Sequence, residues 1–392
     1  MRMTVKSATA KRLINGECLV EMDDIASDIK LETIDEGTCI DLYSSQQEFC
    51  GKMIVGRQNK GFGWKFTNNP DENWTSSLVY ERVYEAIEKR KQWFNQEETN
   101  AYRLFNGEGD GIGAVTIDYL NQFIQINWYS KGIYHYRDWF VSSLVEMIPE
   151  IKGIYETRRY IHENEAAIQL TYGSEAPQPL IIRENHVNYA VYLGAEWMNG
   201  IFMDQRDVRQ FMQQQTQGMT VLNLFSYTGA FSVASAVGGA SQTVSVDVAN
   251  RSLERTEENF TLNQMDPSQH EIRVMDVFDY LNYALRHQLT FDCVVCDPPS
   301  FARTKKYIFS AERDYGELAQ KLIQLTKVGG LLILSTNHSL YSRDKFMKDV
   351  VETMSTISEV QLIQSYYQPK DYPYSSDTTS QYLKVFVFYR VK

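Results

Sequence analysis

From about residue 204 onward, apolar positions gather into short continuous runs separated by amphipathic stretches. Residues 221–225, 244–247, 272–275, 291–296 and 331–335 read as strands. Residues 230–237, 251–263, a stretch starting at Val277, 312–327 and 343–353 carry helical spacing. Continuous apolar strands alternating with helices predict a parallel, doubly wound α/β sheet covered on both faces. Residues 360–366 and 382–389 are two further strands with no full helix between them, so a closing antiparallel pair at the sheet edge is expected.

The first half has a different pattern. In residues 1 to about 70, short alternating runs such as Thr38-Cys39-Ile40-Asp41-Leu42-Tyr43 are broken by Gly16, Gly37, Gly51 and Gly56, which predicts a small β-rich module. Residues 76–95 follow with helical periodicity. The glycine-rich segment from Tyr102 to Gly113 reads as a turn-rich loop leading into strands at 114–119 and 123–129. A helix at 136–147 and more strands to about 192 complete a middle α+β unit. Three domains are thus expected, at 1–72, 73–195 and 196–392, in keeping with a chain of 392 residues.

Composition sharpens this only in part. With 43% hydrophobic residues the chain can build packed cores, and no apolar run approaches the roughly 20 residues of a membrane span. Residues 1–20 mix charges with short apolar stretches and do not read as a signal peptide. Five scattered cysteines without an export signal suggest reduced thiols in a cytoplasm. The formal net charge of −11 is unfavourable for a polyanionic partner. Local basic clusters at Lys89-Arg90-Lys91, Arg158-Arg159 and from Arg303 to Lys306 could still form a basic face, or simply be solvated surface.

Candidate chemistry lies at the ends of the parallel strands. In such sheets ligands sit beyond the carboxyl ends, where strand order reverses. The first strand-to-helix turn is Asn223-Leu224-Phe225-Ser226-Tyr227-Thr228-Gly229. Its single Gly229 could let the backbone approach a ligand, but the turn lacks the glycines of a pyrophosphate cradle. A nucleoside without pyrophosphate fits better, and S-adenosylmethionine is the common one. Asp247 ends the second strand, where an acid can accept hydrogen bonds from ribose hydroxyls. Asp276, followed by Val277, ends the third and could bond an adenine amino group or simply cap the next helix.

The fourth strand runs into Asp297-Pro298-Pro299-Ser300-Phe301. Two prolines remove two backbone donors and stiffen the exit, so Asp297 and neighbouring carbonyls can be held toward a planar base on which Phe301 could stack. Cys293 and Cys296 spell a CxxC, but on a strand they point to opposite faces. Neither a metal site nor a disulfide is expected.

These residues resemble the large-subunit rRNA methyltransferase I family, bacterial enzymes that methylate bases of 23S rRNA. The similarity spans nearly the whole chain. It is carried by Tyr102 to Gly113, Phe202-Met203-Asp204-Gln205-Arg206-Asp207, Leu222 to Phe231, Val244 to Asp247 and Asp297-Pro298-Pro299. The resemblance implies an N-terminal PUA RNA-binding domain, a middle domain and a Rossmann-like class I methyltransferase domain, with Gln205 and Arg206 beside the cofactor. From the residues alone, Arg206 and Arg209 equally suit structural salt bridges. Family members using cytosine C5 chemistry carry a cysteine after the fifth strand. Here the segment reads Ser335-Thr336-Asn337-His338-Ser339, without a thiol. Together with Asp297-Pro298-Pro299 it is similar to the guanine-N7 half of a related fused rRNA enzyme, which adds Asn337 to the candidate catalytic residues. Residues 1–70 hold nine basic against ten acidic side chains, an unusual balance for an RNA-binding module. RNA, as 23S rRNA or the large ribosomal subunit, is the expected partner, and a homodimer is compatible with the sequence. A protein or small-molecule acceptor, or a binding protein without turnover, are the competing readings.

Overall fold

The apolar runs of the second half become a seven-stranded sheet whose neighbours are fixed by register. In the computed structural model, which describes residues 1–58, 61–160, 167–195, 197–304 and 306–392, the strands are β1 (Thr220–Leu224), β2 (Gln242–Asp247), β3 (Glu271–Val274), β4 (Phe291–Cys296), β5 (Thr326–Thr336), β6 (Val360–Tyr366) and β7 (Lys384–Arg390). Their order is β3-β2-β1-β4-β5-β7-β6. Leu222 of β1 lies opposite Val244 of β2 on one side and Val294 of β4 on the other, both in parallel register. β7 runs antiparallel to β5 and to β6, so the expected closing pair is present. Order reverses between β1 and β4, which places the switch-point crevice between the loops that follow them.

Strand alternation divides the core in two. Leu222, Leu224, Val294, Cys296, Leu332 and Leu334 face α4 (Val277–Arg286), α5 (Ala311–Leu325) and α6 (Arg343–Met354). Val221, Cys293, Val295, Ile333 and Val385 face the other way, toward α1 (Arg206–Gln215) and α2 (Ala230–Val237). α3 (Arg251–Leu262) packs beside α2 and β3. Burial on both faces is why these strands read as unbroken apolar runs. The helices obey their own period: α5 buries Ala311, Tyr315, Leu318, Ala319 and Leu322, which recur at helical spacing. Cys293 and Cys296 fall into the two different cores, as alternation requires, and all five cysteines are free.

The first half builds two five-stranded sheets. One contains Arg2–Thr4, Cys39–Tyr43, Phe49–Gln58, Gly61–Thr67 and Leu19–Glu21. The other contains Ile168–Gly173, Gly153–Arg158, Phe123–Trp128, Val115–Leu120 and Ala101–Asn106. Ile54 and Phe66 of the first sheet share a core with Leu78, Val83, Ile87, Phe105 and Phe140. The two expected modules therefore belong to one compact unit, formed by residues 1–182, 191–199 and 370–380. A second unit comprises 183–190, 200–369 and 381–392. This division differs from the breaks expected at 72/73 and 195/196. Residues 183–190 join the second unit because the Asn188 and Ala190 amides donate to the side chains of Asn263 and Asn259, each at 2.8 Å.

Two local readings are corrected. The start of the glycine-rich segment is strand, since Ala101–Asn106 pairs with Val115–Leu120, and the turn between them occupies 107–114, opening with the 3-10 turn Gly107–Asp110. Arg90 is not part of a basic face. It is buried, and its guanidinium grips Asp110 with two hydrogen bonds of 2.8 and 2.7 Å. Among the described residues, no helix is long and apolar enough to cross a membrane.

Candidate active site

The loop after β1 is held in an uncommon conformation. Phe225 and Tyr227, two bulky residues, have φ of 58° and 51°, and Gly229 has 74°. Left-handed non-glycine residues cost of order 1–3 kcal/mol each and persist only where their surroundings over-determine them. Those surroundings are visible. The Ser226 amide donates to the Val246 carbonyl at 3.0 Å and the Tyr227 amide to the Asp247 carboxylate at 2.9 Å. Thr228 Oγ1 donates to the Gly200 carbonyl at 2.7 Å, and Asn259 Nδ2 donates to the Thr228 carbonyl at 2.9 Å. The Gly229 amide closes the turn on the Ser226 carbonyl at 2.8 Å.

Two expectations for this loop change. Asn223 is buried in β1, where its Nδ2 donates to Ser232 Oγ of α2 at 3.0 Å, so its side chain ties strand to helix and does not line the loop. Gly229 is required for its positive φ and because a Cβ would collide with Thr256 of α3; the close approach is to that helix.

Asp247 and Asp276 stand at the tips of β2 and β3, as expected. Asp247 accepts from the Tyr227 and Ala249 amides, one on each oxygen, and each oxygen keeps further accepting capacity. Asp276 caps α4, its Oδ1 accepting from the Phe278 amide at 2.8 Å. The Val277 side chain is in the core, so only its backbone faces the helix start.

At the end of β4, Asp297 belongs to a buried polar cluster. Gln205 Nε2 donates to Asp297 Oδ2 at 3.0 Å and to Ser335 Oγ at 2.7 Å. Tyr315 Oη donates to the Ser335 carbonyl at 2.6 Å, with the Cys296 carbonyl at 3.2 Å, pinning the ends of β4 and β5 together. Burial pushes the Asp297 carboxyl up to about 6. The Ser335 and Gln205 hydrogen bonds and the Arg209 charge oppose this, and the nearby Asp204 carboxylate adds to it. Gln205 is almost wholly buried, yet its Oε1 accepts no hydrogen bond among the described residues. Such an orphan oxygen costs about 1–3 kcal/mol and suits a ligand donor.

Arg206 is buried at the start of α1 near Asp207. Arg209 forms the structural salt bridge, bidentate to Glu184 at 2.6 and 2.8 Å, with both side chains buried. Pro298 is buried and Pro299 exposed. Asn337 is exposed and accepts from Ser300 Oγ at 2.8 Å, which links the loops after β4 and β5. Phe301 is not walled into the crevice; it is exposed on a short ribbon formed by Phe301–Arg303 and Ile308–Ser310. Cys296 is in the core, its thiol pushed far up by burial and by Asp297 beside it.

Several residues of this cluster escaped sequence reading. Tyr315 and Asn259 carry no motif, and only the fold brings them to the loop ends; Ser335 stands in the segment after the fifth strand, which gives it no role of its own. Asp204 lay within the quoted segment but was given no role. Its carboxylate accepts from Tyr382 Oη at 2.8 Å.

The family model for S-adenosylmethionine-dependent methyltransferases matches residues 157–389, and a PUA-like domain model matches residues 3–68. The chain is 42% identical to YwbD of Bacillus subtilis (strain 168) over 98% of each chain; that protein is provisionally named a ribosomal RNA large subunit methyltransferase. It is 31% identical to ribosomal RNA large subunit methyltransferase I of Yersinia pseudotuberculosis over 86% of each. Among solved structures, SMU.776, provisionally described as a methyltransferase and crystallised with SAH, superposes with a TM-score of 0.91 at 36% identity, with complete coverage of both chains.

Proposed function

Given that the chain belongs to the S-adenosylmethionine-dependent methyltransferase family, we propose that it methylates a base of 23S rRNA at a nitrogen, with guanine N7 the favoured atom. The observation that carries the reading is the Asp297 cluster at the switch point, beside the strained loop of β1. The names of the relatives support RNA as the acceptor, and the large ribosomal subunit as the setting in which it is met.

The residues present fit the cofactor. The free accepting capacity of Asp247 suits ribose hydroxyls, and that of Asp276 suits an adenine amino group. The orphan Gln205 Oε1 suits an ammonium donor. Phe225, Ser226, Tyr227 and Thr228 supply the backbone around it, and the resemblance puts the buried Arg206 beside it too, at the start of α1. S-adenosylmethionine, when bound, supplies an electrophilic methyl group on a sulfonium.

On the acceptor side, the stiff Pro298-Pro299 exit fixes Asp297 before any base arrives, which limits the reorganisation left for the reaction. A carboxylate there can accept from N1–H and the 2-amino group of guanine. It also offsets the positive charge that develops when N7 is alkylated. Asn337, tied to Ser300, offers an amide for the remaining base edge. Cytosine C5 chemistry needs a thiolate to add at C6. By the resemblance the family position falls on Thr336 or Asn337, neither a thiol, and the Cys296 thiol lies in the core and resists ionisation.

Transfer of tritiated methyl groups to 23S rRNA from a strain lacking the protein tests the activity. Label that enters protein and not RNA overturns the reading. RNA carrying 5-fluorocytosine tests the atom: a stable protein–RNA adduct that disappears in Cys296→Ala would restore C5 chemistry.

A further inference from the structure

The ribbon that follows Pro299 has two unlike faces. Its strands, Phe301–Arg303 and Ile308–Ser310, pair antiparallel with Ala302 opposite Phe309 and Arg303 opposite Ile308. The inner face is anchored. Phe309 is buried in the core against α4 and α5, and Ala302 packs beside it. The ring of Tyr307 lies 5.2 Å and that of Phe309 5.7 Å from Phe278, which itself sits 6.1 Å from Phe225 in the cofactor loop. The tip is closed by the Thr304 amide on the Tyr307 carbonyl at 2.9 Å, and the base by the Ala311 amide on the Ser300 carbonyl at 3.0 Å. The ribbon is therefore anchored on Phe278 of α4, which in turn meets the loop of β1, and it is chain-continuous with Asp297.

Its outer face carries Phe301 and Ile308, 61% and 57% exposed, and between them Arg303. The Arg303 guanidinium has no ion-pair or hydrogen-bond partner among the described residues. Lys306, nearer the tip, is neutralised by Asp279 at 2.8 Å and does not add to this face. An aromatic, an aliphatic side chain and one unpaired guanidinium on these anchored strands suit single-stranded RNA, which offers bases to stack and phosphates to pair. The location narrows this further. A strand whose target base enters at Asp297 must run past the residues immediately after it.

We propose that the outer face of this ribbon binds the nucleotides flanking the target base, with Phe301 and Ile308 under a neighbouring base and Arg303 on a phosphate. This rests on the RNA reading above and assigns the ribbon to substrate recognition rather than to the methyl-transfer step.

Because Arg303 and Ile308 are exposed, Arg303→Ala and Ile308→Ser are expected to keep the fold, which thermal melting checks. The probe is a 23S rRNA transcript, used in binding titrations at several salt concentrations and in methyl-transfer kinetics. The expected result is a roughly tenfold rise in Kd and KM for the transcript in the double variant. The kcat at saturating RNA and the affinity for S-adenosylmethionine should be unchanged. Arg303→Ala should also flatten the salt dependence by about one phosphate contact, and Arg303→Lys should restore it. Unchanged KM and salt slope with active wild-type protein overturn the ribbon assignment alone. A wild-type protein that transfers no methyl group to rRNA overturns the RNA reading and the assignment with it. A change in self-association with RNA binding intact makes the face a contact between copies, and the proposal falls.

Discussion

Replacing Asp297 by Asn should make the protein more stable and less active at the same time. The carboxyl titrates at about 6 in the folded chain, against about 3.9 for an unperturbed aspartate. Between those values the folded state holds a proton that the unfolded state has lost. Stability contributed by this group therefore falls as pH rises through the window, and the penalty is complete above pH 6. Two pKa units at 1.36 kcal/mol each set a ceiling of about 3 kcal/mol. Water reaches part of this side chain, so about 1–3 kcal/mol is the expected range. Asparagine keeps an oxygen for the Gln205 amide and carries no charge to desolvate. Urea denaturation of both proteins from pH 4 to pH 8 should show a difference near zero at the acid end that grows to favour Asp297→Asn by pH 7.5. Loss of one charged hydrogen bond to the acceptor should lower kcat/KM by at least 10- to 100-fold. A stability difference that is independent of pH would refute the assignment of the raised carboxyl to Asp297.

Two further outcomes follow from the same geometry. Asp247→Ala removes both the acceptor for ribose and the clasp on the Tyr227 and Ala249 amides, so calorimetric titration should show S-adenosylmethionine binding weakened by roughly 10- to 100-fold; unchanged affinity moves the ribose elsewhere. Arg209→Met leaves the Glu184 carboxylate buried without its partner and should cost about 3–5 kcal/mol in denaturant unfolding, whereas Arg209→Met with Glu184→Leu should recover most of that loss; equal damage in single and double variants contradicts the pairing.

What could be read beforehand followed from periodicity. Residues 230–237 and 291–296 match their elements end to end, because continuous apolar runs report burial directly; 360–366 also matches, although that edge strand is largely exposed. Asp247, Asp276 and Asp297 could be placed because a residue at the end of a parallel strand has little choice of position. The role of Asn223 was not legible: the same amide suits a ligand or a buried hydroxyl, and only the distance to Ser232 decides. Tyr315 was hidden for a related reason: it reaches the site through tertiary packing, and it sits on an ordinary apolar helical position until its hydroxyl meets two carbonyls. The ribbon after Pro299 was missed because strands of three residues are too short to show a period.

The position of β7 bears on how the chain is made. Of the seven strands of this sheet it is the last in chain order, yet it lies between β5 and β6, two strands already complete by then. Until residue 390 has left the ribosome, the flank of β5 from Leu331 to Thr336 has no neighbour, and six rungs of backbone hydrogen bonding stay open. An apolar edge in that state is a template for pairing with other chains. A nascent chain that ends inside residues 367–383 is consequently one that leaves this edge open. Its catalytic sheet closes only when the final strand slides into the gap.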